Sequence, residues 1–100
     1  ENGAFFYAAS FFRAGDYMRA RHEFKRLVRR FPRSRWVPSA YWHLATCEKA
    51  LGRMVRAREL FASIVRRFPN DPATVAMAKR DLKTFERRRE GVIAKWWRGV

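Results

Sequence analysis

Apolar residues recur along the chain in steps of three and four: Ala4, Tyr7, Ala8 and Phe11, then Tyr17, Ala20, Phe24, Leu27, Val28 and Phe31. Such spacing returns side chains to one face of a 3.6-residue helix, so each series predicts an amphipathic helix. Gly15 falls between the two, where the chain must reverse and a positive φ costs glycine no Cβ clash. Pro32 closes the second series, because proline lacks an amide donor and clashes with the preceding turn. The predicted unit is a helix pair.

The unit then repeats. Gly15, Ala20, Phe24, Val28, Arg29, Arg30, Phe31 and Pro32 return as Gly52, Ala57, Phe61, Val65, Arg66, Arg67, Phe68 and Pro69, each 37 residues later, and Ala8 returns as Ala45. Ala40 and Leu44 return as Ala78 and Leu82 at 38, which places one extra residue in the second connection. Asp71 followed by Pro72 reads as an N-cap with proline at the first helical position, and Ser34 with Pro38 marks the corresponding earlier start. The pattern predicts one all-α domain of about two and a half repeats and roughly five helices. Repeat 1 covers about 2–33, repeat 2 about 34–70, and a half-repeat or capping helix about 71–90 turns Val75, Ala78, Leu82 and Phe85 inward. A basic extension containing Trp96 and Trp97 occupies 91–100.

Gly15, Asp16, Tyr17, Ala20, Phe24 and Pro32, with Gly52, Ala57, Phe61 and Pro69, stand at the spacing of the tetratricopeptide repeat, which residues 2–85 resemble. The chain departs from that family in the first helices, where Ala4 and Ala8, then Tyr41 and Ala45, replace its preferred Trp and Gly. The resemblance implies a right-handed superhelical solenoid of antiparallel helix pairs with a concave groove and a convex ridge, serving non-catalytic protein binding. Phe31, Pro32, Ser34, Ala40 and Tyr41 are similar to the branch that works in bacterial envelopes. That branch includes the BamD lipoprotein of outer-membrane assembly and the CpoB (YbgF) protein of the Tol-Pal system. It implies a periplasmic or outer-membrane location, with a cytoplasmic one left open.

Carried onto this sequence, the groove positions of the family are Phe5, Phe12 and Arg13 in the first unit, Trp42 and Lys49 in the second, and Arg80, Arg87 and Arg88 in the third. A groove aromatic at one end and basic at the other complements an acidic, partly apolar segment of a partner protein, such as a subunit of an envelope complex. A second reading stands beside it, in which Phe5, Phe12 and Trp42 pack against a further repeat upstream or a neighbouring helix. The start at Glu1, without a polar capping helix, leads us to expect further repeats upstream.

Charge changes the picture on the other side. The 100 residues carry 23 Lys+Arg against 9 Asp+Glu, a formal net charge of +14. The second helices are predicted to present Arg19, Arg26, Arg30, Arg56, Arg66 and Arg67 as a basic ridge. Such a ridge attracts nucleic acid or anionic lipid by field alone, and the alternative is a solvated face. Trp96 and Trp97 beside arginine suit either a cap on the solenoid end or a docking element. Self-association by end-to-end stacking is a further possibility for such a fold. Aromatics at 16% exclude a disordered basic tail.

Little in the chain points to chemistry. Cys47 is the one cysteine, which excludes an internal disulfide framework and multi-cysteine metal sites. His43 lies four residues before it on the same helical face, the minimum of a thiol nucleophile, but no third group orients the pair and Cys47 reads as a small core residue. The acids are scattered and no glycine-rich phosphate loop is present. No catalytic residue, metal or cofactor is expected.

Overall fold

The computed structural model describes the backbone of residues 1–98 and the side chains of residues 1–85. Arg87, Arg88, Trp96 and Trp97, named above, therefore lie outside the described side chains. Five helices are present among the described residues: α1 (Asn2–Arg13), α2 (Tyr17–Arg30), α3 (Val37–Ala50), α4 (Met54–Arg67) and α5 (Pro72–Arg98). Each helix packs on the next in sequence, α1 also meets α3, and α3 meets α5. The result is an all-α solenoid in which first helices α1, α3 and α5 adjoin one another and α2 and α4 lie behind them.

Both repeat turns are built alike. Gly15 and Gly52 have φ of 81° and 82°, the left-handed region. In the first turn the Gly15 amide donates to the Phe12 carbonyl and the Asp16 amide to the Phe11 carbonyl, at 3.1 and 2.9 Å. Gly52 and Arg53 repeat this with Lys49 and Glu48, at 3.1 and 2.8 Å. This pairing satisfies the carbonyls that a helix end leaves without partners. The second-helix starts differ. Asp16 caps α2 by accepting from the Arg19 amide at 3.2 Å, whereas Arg53 offers α4 no side-chain cap. Asp71 does cap α5, accepting from the Thr74 amide at 3.2 Å, with Pro72 opening the helix.

The alanines at the repeat positions are fully enclosed: Ala8, Ala20, Ala40, Ala45, Ala57 and Ala78 are all 0% exposed. Having no side chain beyond Cβ, they let helix backbones approach and leave room for the rings of Phe24 and Phe61, which are also fully buried. These residues divide into two cores. Phe24, Leu27, Ala40, Leu44 and Cys47 belong to the first, and Ala45, Phe61, Ile64 and Ala78 to the second. Helix α3 serves both, so little of its surface is left for water.

The register of α1 differs from the predicted one. Tyr7, expected inside, is 49% exposed, while Phe5, expected in the groove, is buried. The cause is Trp36, at the entry to α3, whose ring stacks on Phe5 at 4.2 Å and whose indole N–H donates to Asn2 Oδ1 at 2.6 Å. That stack turns the Phe5 side of α1 toward the second repeat.

Candidate interaction site

Because α1, α3 and α5 adjoin, their outward side chains form one continuous surface. Phe12 of α1 is half-buried, its ring 6.4 Å from that of Trp42 on α3. Trp42, also half-buried, donates its indole N–H to Asp81 Oδ2 of α5 at 2.9 Å. Further along α3, the Lys49 ammonium lies 5.7 Å from the centre of the Phe85 ring of α5, within cation–π range. Arg13 and Arg80 are exposed on α1 and α5. The structure thus brings together Phe12, Trp42 and Lys49 with Asp81 and Phe85.

Phe5 leaves the set. At 8% exposure it stacks on Trp36 and meets Phe24 edge-on at 5.8 Å, so it is a core residue and no partner can reach its face. The neighbouring-helix reading of that residue is the correct one. Phe12 and Trp42 stay half-buried, Phe12 meeting Tyr17 and His43 edge-on at 5.7 and 4.9 Å.

His43 stands beneath this surface, inside a wall of aromatic rings. It stacks on Phe24 at 4.8 Å and meets Phe12 edge-on at 4.9 Å. Its Nδ1 lies 2.8 Å from the Ser39 carbonyl. A carbonyl only accepts, so Nδ1 carries the proton and the neutral ring keeps its lone pair on Nε2. Burial holds its pKa below the ordinary histidine value, with the Ser39 bond opposing. Cys47 is fully buried, and burial, assisted by Glu48 and opposed by Arg21, pushes its thiol up to about 12. A thiol so held is not ionised near neutrality, so the pair supplies no nucleophile.

Glu48 is the charged residue that the apolar pattern does not single out. It is 1% exposed. Its Oε1 is paired with the Arg21 guanidinium of α2, and Arg53 lies 3.7 Å from the same oxygen. Arg21 of α2 is therefore turned inward, away from the exposed arginines of the same helix. The signal was present in the spacing, since Glu48 follows Leu44 by four and Ala45 by three, on the arc that faces the cores.

On the opposite face, Arg19, Arg26, Arg30, Arg56, Arg66 and Arg67 are exposed on α2 and α4. Three of them rest on aromatic rings: Arg19 on Phe11 at 5.0 Å, Arg30 on Phe31 at 5.5 Å and Arg67 on Tyr41 at 5.7 Å. Arg67 also donates to the Tyr41 hydroxyl at 2.7 Å. Among the described residues, no three His, Cys, Asp or Glu side chains come together as a metal site, and no helix is long and apolar enough to cross a membrane.

The sequence model of a family described as tetratricopeptide repeat matches residues 8–72. No curated protein and no solved structure matches the chain.

Proposed function

Because this chain belongs to the tetratricopeptide repeat family, typically a non-catalytic module for protein–protein interaction, we propose that it is a scaffold holding a partner segment along α1, α3 and α5. One observation carries the placement: Phe12, Trp42 and Asp81 form an unbroken row across three helices. A row tied by an N–H donor at its centre is ordered before any partner arrives, which lowers the entropy lost on binding. Half-buried aromatic faces flanked by cations suit a segment with apolar anchors and acidic neighbours. Arg13, Lys49 and Arg80 are the described cations in place for this, and Arg87 and Arg88 extend the proposal along α5. The sequence likeness to envelope proteins supports a subunit of a bacterial envelope complex as the partner, and a location there.

The test is affinity capture from the native cell with the wild-type chain, a groove variant (Trp42→Ala with Arg80→Glu) and a ridge variant (Arg26→Glu with Arg56→Glu). We expect a defined protein that survives high salt and nuclease, is lost with the groove variant and is kept by the ridge variant. Capture that disappears with salt or nuclease overturns the groove reading in favour of the ridge. A chain that captures only itself, with a size that falls on dilution, assigns the surface to self-assembly.

A further inference from the structure

Behind the groove, α2 and α4 part over α3 to leave a cleft of about 440 Å³. Lys25 of α2 and Arg56, Arg66 and Arg67 of α4 line it, and Tyr41 and Glu48 of α3 contribute to its floor. We propose that this cleft binds the di- or triphosphate group of a small soluble ligand. The proposal is independent of the groove on the other face.

Charge balance is the first argument. Four cations converge from two helices, and the acids that line the same space are Glu59 and Glu48. Glu48 is already engaged, its Oε1 held by Arg21 with Arg53 close behind. A surplus of positive charge is thus left facing the cleft. A single carboxylate brings one negative charge and two oxygens. A diphosphate brings more charge and several acceptor oxygens, which matches guanidinium groups able to donate in pairs.

The surroundings of Lys25 are the second. Lys25 is held below the ordinary lysine pKa by burial first and then by Arg21 and Arg56, with Glu48 opposing and Arg29 adding to the lowering. The apo protein therefore pays an electrostatic cost at this point, which a multiply charged anion relieves. Preorganisation is the third. Arg67 is fixed by its hydrogen bond to the Tyr41 hydroxyl and its place over the ring, so its guanidinium does not have to be ordered by the ligand. Its lining excludes two other cations of the basic face. Arg19 and Arg58 stand exposed on the same two helices but do not line it.

Those two residues supply the control. Inorganic pyrophosphate is titrated calorimetrically into the wild type, into Lys25→Gln with Arg56→Gln, and into Arg19→Gln with Arg58→Gln, two double variants of equal net charge. We expect saturable binding that weakens at least about tenfold in the cleft variant and less than about threefold in the control. Circular dichroism reports whether the cleft variant folds. If it does not, Arg67→Lys keeps the charge while removing the guanidinium fork, and a loss of about fivefold or more is expected there. Equal weakening in both double variants, or no saturable binding, overturns the proposal. A single-stranded oligonucleotide or anionic vesicles that bind tightly and are weakened equally by both variants also overturn it, assigning the charge to the ridge as a whole.

Discussion

Arg21 on α2 and Glu48 on α3, 27 residues apart in the chain, close an ion pair on a carboxylate that water does not reach. The pair joins the two repeats, since Arg21 belongs to the first and Glu48 to the second. Glu48 Oε2 is buried with no hydrogen-bond partner among the described residues, so the attraction at Oε1 has to offset the whole desolvation of the group.

Removing one partner leaves the other charge uncompensated in a part-buried place. Glu48→Gln is expected to lower unfolding free energy by about 2–4 kcal/mol in urea titration. Replacing both, Arg21→Met with Glu48→Leu, should come back to within about 1 kcal/mol of wild type, because apolar side chains carry no desolvation penalty there. A double variant no more stable than the single one would sink this account.

The same substitution should have opposite signs at two glycines. An added Cβ meets nothing within 4 Å at Gly52 or at Gly3, so backbone conformation alone decides. At Gly52, with φ of 82°, alanine is expected to cost about 1–2 kcal/mol, and asparagine less. At Gly3, inside α1, alanine should gain up to about 1 kcal/mol. Thermal unfolding of the variants checks both directions.

His43 makes stability depend on pH. Its folded-state pKa lies below the ordinary value of 6.5 because burial disfavours the charged ring. Below 6.5 the unfolded chain therefore takes up a proton that the folded chain does not. This contribution is complete above 6.5 and is lost progressively as pH falls toward the folded pKa. The wild type should lose more stability between pH 7 and 5 than His43→Gln does. Parallel curves for the two proteins would show that His43 plays no part.

Asp81 should matter to binding through Trp42. Asp81→Ala removes the acceptor of the indole N–H, at an expected cost of about 1–2 kcal/mol in stability. It also frees the ring to leave its place in the row, so partner capture should fall although Trp42 itself is intact. Undiminished capture at full occupancy of the folded state would mean that the orientation of Trp42 is not used.

Much of the fold was legible in the sequence, and for identifiable reasons. Gly15 and Gly52 announce their turns because no other residue accepts a φ near 80° so cheaply. Pro32 and Pro69 stop α2 and α4 because a ring in place of an amide proton acts on its own neighbours. The enclosed alanines follow from the same local logic, since a small residue recurring at a fixed offset marks a close helix approach. The site was legible only in part. Phe12 and Trp42 do lie together, but Phe5 does not join them, and Asp81 reads in the sequence only as one of the scattered acids.

What the sequence determined by itself, then, is what acts over one helical turn or recurs with the repeat: helices, turns, offset and the basic charge of α2 and α4. Tertiary structure decided which sides of α1 and α3 are covered. A helix with one buried stripe betrays that stripe by periodicity, but α3 lies between two helix pairs and gives Leu44 and Cys47 to one core and Ala45 to the other. With most of its circumference enclosed, the contrast between apolar and polar sides fades, and a glutamate can stand inside once a distant arginine meets it. The Phe5–Trp36 stack turns α1 in the same way, through a contact 31 residues away that no local pattern encodes.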